Sequence, residues 1–195
     1  MKLNMRPFLI AVICTWMSLS LSATVATAQT VDNVQSGQPS DGVQMVLSSI
    51  DPNGSDLQLS FRNVGDHDVT LNLGVMMANG NVQLPSYVSL IFTDAKSQTR
   101  VFKFADKKHP GVAGRLDDYV VPLRAGSVYM LKLSLNQFSC QETKEFEIPL
   151  LPGKNQLTAQ FQGSGARFAN LDMAAIKLMN FWFGRVESNT LTIER

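Results

Sequence analysis

Leu57-Gln58-Leu59-Ser60-Phe61 and Val69-Thr70-Leu71-Asn72-Leu73 alternate apolar and polar side chains, and these two runs decide the fold class. Alternation with a period of two places every second side chain on the same face of a strand. The residues between the runs, Asn63-Val64-Gly65-Asp66, are typical of a turn. The pattern therefore predicts a hairpin whose two apolar rows face the same core.

Similar short runs continue on both sides of this pair. Upstream, Val43–Ile50 predicts a strand that closes at the turn Asp51-Pro52-Asn53-Gly54. Many short strands at near-regular spacing favour an antiparallel sandwich or barrel. The downstream strands are predicted at Tyr87–Thr93, Arg100–Phe104, Asp118–Leu123, Val128–Leu135, Lys144–Ile148, Gln156–Phe161 and Thr190–Glu194.

One segment departs from the β pattern. Apolar residues recur there at helical spacing: Leu171, Ala174, Ala175, Leu178, Met179 and Trp182. This spacing predicts a short helix over Asp172–Asn180, with Asn170 or Asp172 available as the N-cap. The predicted fold is therefore all-β, a single antiparallel sandwich with one short helix before the last strand.

The first 28 residues have the three parts of a secretory signal peptide. Lys2 and Arg6 precede an apolar stretch from Phe8 to Leu21, and Ala26-Thr27-Ala28 forms a small-x-small cleavage site before Gln29. The apolar stretch is shorter than the roughly 20 residues that span a bilayer. We therefore expect cleavage between Ala28 and Gln29, no stable membrane span afterwards, and a secreted or periplasmic protein.

The composition of the remaining chain limits its partners. Residues 29–42 are polar and rich in Ser, Gly and Gln, which predicts a flexible tether before a domain over residues 43–195. The net charge of +1 becomes −1 when Lys2 and Arg6 leave with the signal, which contains no acidic residue. A chain without a strongly basic balance is not expected to bind nucleic acid.

The two cysteines are separated by the same cleavage. Cys14 leaves with the signal, so Cys140 has no partner within the mature chain. No histidine or basic pair lies next to Cys140 in the sequence to lower its pKa. The sequence therefore predicts a buried or inert thiol.

Four turn and strand motifs occur along the chain: Leu59–Asp66, Leu123–Tyr129, Leu151-Pro152-Gly153 with Leu157-x-Ala159-x-Phe161, and Trp182-x-Gly184-x-Val186-x-Ser188-Asn189. These motifs are similar to those of bacterial extracytoplasmic immunoglobulin-like domains. This resemblance implies an immunoglobulin-like β-sandwich from Val43 to the C-terminus and a binding or scaffolding role outside the cytoplasm.

Catalytic and metal-binding patterns are weak in this sequence. His67 lies between Asp66 and Asp68, but adjacent residues of a turn point in different directions, so a solvated turn is the better interpretation. His109 also lies in a turn-like segment. Asp117 and Asp118 are adjacent, and on a strand their carboxylates would face opposite ways. With neither a G-x-S-x-G motif nor a Gly-rich phosphate loop, the sequence predicts no enzyme, cofactor or metal.

Aromatic residues provide the candidate binding surface. Phe181, Trp182 and Phe183 are consecutive, and Tyr87 is a further candidate. Exposed rings beside polar groups hold carbohydrate and peptide ligands, although all three consecutive rings could instead be buried beneath the short helix. Asn53-Gly54-Ser55 matches a glycosylation sequon and is equally typical of a hairpin tip.

These observations leave several functions open. The leading hypothesis is an exported, non-enzymatic domain that contacts another envelope or extracellular protein through its sheet edges or end loops. The alternative is a carbohydrate- or small-ligand-binding module that uses the Phe181–Phe183 cluster. A protease inhibitor and a hydrolase are weaker alternatives.

Overall fold

A computed structural model describes residues 36–77, 80–105, 115–168 and 179–195. Apart from one 3-10 turn at Leu135–Gln137, the regular structure within these residues is entirely β. The strands are β1 Val43–Ser49, β2 Asp56–Asn63, β3 Val69–Met77, β4 Val82–Leu84, β5 Val88–Thr93, β6 Thr99–Phe104, β7 Asp117–Leu123, β8 Val128–Ser134, β9 Phe138–Ser139, β10 Lys154–Gln162 and β11 Arg185–Glu194.

Three predictions lie wholly or partly outside the described residues. They are the signal peptide with its cleavage site between Ala28 and Gln29, the tether up to residue 35, and residues 172–178 of the predicted helix. Met179 and Asn180, the last two residues of that predicted helix, are described and are not helical. Within the described ranges, the all-β prediction is confirmed.

Most strand predictions are confirmed within a residue or two, but one strand is absent. The segment predicted as a strand over Lys144–Ile148 is irregular, because Lys144 adopts a left-handed conformation with φ 56°. Glu145 then makes an isolated bridge, in which the Cys140 amide donates to the Glu145 carbonyl at 2.9 Å. β4 and β9 were not predicted, and β11 begins at Arg185 rather than at Thr190.

The strands form three antiparallel sheets, ordered β1-β2-β8, β11-β10-β5-β6-β9 and β4-β3-β7. The predicted hairpin is therefore wrong, because β2 and β3 lie in different sheets. Asn63 redirects the chain between them: its Nδ2 donates to the carbonyls of His67 at 2.9 Å and Leu123 at 3.0 Å. Alternation determines which face of a strand is apolar, but it does not determine which strand is its neighbour.

All three sheets nevertheless contribute to one apolar core, as the alternation predicted. Both predicted rows are buried in it: Leu57, Leu59 and Phe61 with Val69, Leu71 and Leu73. Phe61 and Phe161 meet edge to face, with ring centroids 5.3 Å apart. Burial of each such side chain stabilises the fold by about 1.5–3 kcal/mol.

Two polar contacts cover the facing edges of β1 and β11. The Asn189 side chain accepts from the Leu47 amide at 2.8 Å and donates to the Leu47 carbonyl at 3.0 Å, as a neighbouring strand would. The described part of the predicted tether also lies here, with the Gly37 amide donating to the Met45 carbonyl at 3.0 Å. A Cβ at Gly37 would lie 2.2 Å from the Glu187 carbonyl oxygen, so only glycine fits.

Candidate functional site

The structure separates the three consecutive aromatic residues. Trp182 is only 4% exposed and stacks on Phe161, with centroids 5.6 Å apart and ring planes 18° apart. Its indole Nε1 donates to the Asp41 carbonyl at 3.1 Å, which satisfies the one polar atom of the ring. A Cβ at Gly163 would lie 2.4 Å from the Trp182 ring, so the backbone packs directly on it. Trp182 is therefore a core residue.

Phe181 is half-buried and continues the β4-β3-β7 sheet. The Thr70 amide donates to the Asn180 carbonyl at 2.7 Å, and the Trp182 amide donates to the Thr70 carbonyl at 2.9 Å. This pairing is a parallel bridge between Thr70 and Phe181. It fixes the backbone on the N-terminal side of Phe183.

Phe183 and Tyr87 lie on either side of the same short segment, residues 162–165. The Gln162 amide donates to the Tyr87 carbonyl at 3.2 Å, and the Gly163 amide donates to the Gly184 carbonyl at 2.9 Å. Phe183 is 65% exposed, and its ring lies against Gly165, where a Cβ would be 3.3 Å from Cζ. Tyr87 is half-buried.

Arg167 completes this surface, which we call the aromatic end: Tyr87, Arg167 and Phe183. The Arg167 guanidinium Nη1 lies 3.5 Å from the Tyr87 hydroxyl, at the limit of hydrogen bonding. This contact raises the pKa of Arg167 above its already high ordinary value, so its positive charge is permanent. The aromatic end thus combines one exposed ring, one half-buried phenol and one cation.

A polar face extends from the aromatic end across β11, β10, β5 and β6. Its side chains are mostly uncharged and bond to one another, since Thr158 meets Thr190 at 3.0 Å and Thr93 meets Thr99 at 2.9 Å between their hydroxyl oxygens. Nearer the aromatic end, Glu187 accepts from both Arg185 at 2.8 Å and Gln160 at 2.9 Å. Glu187 therefore offsets the charge of Arg185.

Two buried polar side chains hold the segment that carries Arg167. Asp118 is 7% exposed and accepts from the backbone amides of Arg167 at 2.9 Å and Phe168 at 2.8 Å. It also accepts from Asn72 Nδ2 at 2.9 Å, and the same Asn72 amide group donates to the Gly165 carbonyl at 2.9 Å. Buried polar groups fully engaged in this way fix a backbone conformation.

The sequence did not indicate that Asn72 and Asp118 hold the segment that carries Arg167. It did predict that the adjacent carboxylates of Asp117 and Asp118 face opposite ways, and Asp117 pairs with Arg115 Nε at 2.9 Å instead. The available signal was Gly74, two residues after Asn72, because an isolated glycine within a strand often marks a bulge. The β3–β7 register does shift between Asn72 and Val75, and the Gly74 amide donates to Asn72 Oδ1 at 3.1 Å.

The two histidines were the remaining candidate metal ligands. The His67 side chain is 70% exposed in its turn, and its Nδ1 lies 2.7 Å from Asp66 Oδ1, which lowers the pKa of Asp66. Across the described parts of the chain, no group of three metal-ligating side chains converges. His109 lies in residues 106–114, outside those parts.

Cys140 and Asn53 complete the predicted set. Cys140 is a free thiol that is 1% exposed in the apolar core, which confirms the predicted burial. Asn53 is exposed in the turn between β1 and β2, where its carbonyl accepts from Arg195 Nη2 at 2.9 Å.

Two comparisons of the sequence, with protein families and with curated proteins, give no match. No protein-family model matches it, and no curated protein matches it in sequence. Among the residues that the structure describes, no helix has the length and apolar character needed to cross a membrane.

Proposed function

We propose that this chain is an exported, non-enzymatic binding domain with an immunoglobulin-like β-sandwich fold, and that it contacts another envelope or extracellular protein through the aromatic end. The signal-like segment of residues 1–28 supports export. Antiparallel sheets that share a single core support the sandwich.

One observation carries the proposed binding surface: Phe183 is 65% exposed although the backbone around it is fixed. Trp182 on one side is locked in the core, and Gly165 beneath the ring belongs to the segment held by Asn72 and Asp118. A large apolar ring that is already positioned loses little conformational entropy on binding. Aromatic residues and arginine are both enriched at protein–protein interfaces.

The polar face supports carbohydrate as a second candidate ligand. Its hydroxyl and amide side chains, such as Gln162, Thr158 and Thr190, are suited to hydrogen bonds with sugar hydroxyls. Burial of Trp182 removes the largest ring from any such surface, which leaves Phe183 and Tyr87 for stacking.

A photo-crosslinking experiment tests the protein partner. A photoreactive phenylalanine analogue replaces Phe183 in the full chain, expressed in the native host. Phe146, which is 73% exposed on a different loop, provides the matched control position. We expect one protein to be captured from position 183 and not from position 146, and the purified pair to bind with affinity at least about tenfold weaker after Phe183→Ala, a loss of about 1.4 kcal/mol.

Titration of the unsubstituted protein with a panel of soluble polysaccharides distinguishes the two candidate ligands. If the partner is a protein, the polysaccharides should leave hydrogen exchange unchanged. If the ligand is a glycan, they should protect the Tyr87 region from hydrogen exchange. Equal capture from positions 183 and 146, together with no glycan binding, would contradict both assignments of the aromatic end.

A further inference from the structure

β8 is a regular strand at the edge of the β1-β2-β8 sheet. It pairs with β2 in unbroken antiparallel register, from Asp56 opposite Ser134 to Arg62 opposite Val128, with neither a bulge nor a proline. In the part of the chain that the structure describes, no strand pairs with its other side. An unprotected, regular edge is a template for pairing with another strand.

The other sheet edges among the described strands carry protection that β8 lacks. β7 contains Pro122 and is paired across the β3 bulge, while β4 and β9 are only three and two residues long. β1 and β11 are covered by Asn189 and Gly37. Proteins generally block strand pairing with prolines, bulges, short strands, covering segments and charged edge residues, and of these devices β8 has only Lys132.

The hydrogen bonds at both ends of β8 determine which backbone groups face outward. The Asn63 amide donates to the Ser127 carbonyl at 3.0 Å, and the Leu135 amide donates to the Ser55 carbonyl at 2.9 Å. Because bonded and non-bonded pairs alternate in an antiparallel ladder, the odd-numbered residues between them bond to β2. The N–H and C=O groups of Val128, Met130 and Lys132 therefore point away from β2.

The side chains of these three residues are exposed beside that edge. Met130 is 60% exposed and Val128 is 42% exposed, and Lys132 is also exposed. Two apolar side chains on an unpaired edge are unusual for a strand that is designed to remain solvated.

We propose that β8 pairs with β8 of a second copy of this chain, antiparallel and centred on Met130. The proposal goes beyond the function above and uses a different sheet. In this register Met130 lies opposite Met130 of the second copy, and Val128 lies opposite its Lys132. Every outward N–H and C=O of the three residues then has a partner, and the sheet becomes continuous in the order β1-β2-β8-β8-β2-β1.

This register keeps like charges from lying directly opposite each other. Lys132 lies beside an apolar Val128 rather than beside another lysine, so its aliphatic stem can pack there. The next residue in the same row is Arg62 of the second copy, because Arg62 is opposite Val128 in the β2–β8 ladder. The repulsion between Lys132 and that arginine acts over a distance on the order of 10 Å, so salt should screen it and tighten the dimer.

The surface area buried between the two β8 strands limits the affinity of the dimer. A single edge strand offers less than the about 800 Å² per partner of a standard stable interface. We therefore expect a dissociation constant in the micromolar range, visible between about 1 μM and about 500 μM protein.

Hydrogen exchange combined with sedimentation velocity tests the proposal on protein expressed from the 195-residue chain. With increasing concentration, the sedimentation coefficient should rise toward that of a dimer. The amides of Val128, Met130 and Lys132 should become protected over the same concentration range. Those of Tyr129, Leu131 and Leu133 should already be protected at the lowest concentration.

Two substitutions on the exposed face test the register. Met130→Lys places like charges directly opposite each other at the axis, so the dimer should weaken at least tenfold. Val101→Lys, at a 45% exposed position on β6, is the matched control and should change nothing. Lys132→Glu should tighten the dimer and reverse its salt dependence, because the carboxylate would then attract Arg62 of the second copy.

Several results would overturn the proposal. One is a protein that stays monomeric throughout the concentration range. Another is a monomer whose β8 pairs only with a strand of a different protein. Others are a dimer in which the three outward amides remain unprotected, or outward amides that are already protected in the monomer. Phe183→Ala should leave the dimer intact, so failure here and failure of the aromatic end are separate results.

Discussion

The aromatic end and the edge of β8 reach the surface in opposite ways. The aromatic end is irregular, and buried groups beneath it hold it: Trp182 in the core and the Asn72–Asp118 pair. The edge of β8 is regular: its ladder to β2 sets which backbone groups face outward, while Leu131 and Leu133 on its inner face are buried in the core. The difference teaches that the irregular surface depends on hydrogen bonds from buried polar side chains, whereas the outward groups of a regular edge follow from strand pairing.

The largest expected change in stability separates Trp182→Ala from Phe183→Ala. Trp182 is stacked on Phe161 and 4% exposed, so its removal leaves a cavity and should lower the free energy of unfolding by about 4 kcal/mol. Phe183 is mostly exposed, and its loss should cost no more than about 0.5 kcal/mol. Urea denaturation of both variants measures this, and similar losses would mean that the two neighbouring rings share one environment.

The contrast also explains what the sequence could predict. Alternation in β2 and β3 predicted both strands and the core that they share, because a period of two reports which side chains face inward. It could not predict that β2 and β3 separate, since that depends on the Asn63 side chain bonding to Leu123, sixty residues away. The split of Phe181, Trp182 and Phe183 between core and surface likewise depends on distant partners, Thr70 and Asp41.

Removal of Asp118 tests the interior support of the aromatic end. Asp118→Ala leaves the Arg167 and Phe168 amides and the Asn72 side chain without their acceptor, which should cost about 2–3 kcal/mol. It should also weaken partner binding, because the segment that carries Arg167 is released. Asp118→Asn keeps one acceptor and should cost less. Unfolding free energy and amide exchange at Arg167 provide the measurements, and unchanged exchange would mean that Asp118 does not position this segment.

The opposite end of β5 offers a second case of buried polar support. Hydrogen bonds from the backbone amides of Gln98 and Lys96, and the nearby Arg100 guanidinium, hold the pKa of Asp94 below its ordinary value of 3.8. Arg100 Nη2 lies 2.9 Å from Asp94, and the Arg100 guanidinium also bonds to Glu145 and lies over the Phe92 ring. The support requires the ionised carboxylate.

Acid should therefore weaken this region. A carboxyl group with a lowered pKa stabilises the fold fully above the unfolded value of 3.8, and this contribution is lost as the pH falls through the folded pKa. We expect the melting temperature to fall below about pH 4 and expect Asp94→Asn to reduce that fall. An identical acid profile in the variant would place the responsible carboxylates elsewhere.

The smallest expected effect is at the edge of β8, where Met130→Thr should change the free energy of unfolding by no more than about 0.5 kcal/mol at low protein concentration. Met130 is 60% exposed, and its backbone groups face away from β2, so no interior group depends on it. Met45→Thr is the matched substitution at a fully buried position of β1, where the lost volume and the buried hydroxyl should cost more than about 2 kcal/mol. Equal losses at both methionines, measured by urea titration of dilute protein, would show that interior groups depend on Met130 after all, which would remove the contrast with the aromatic end.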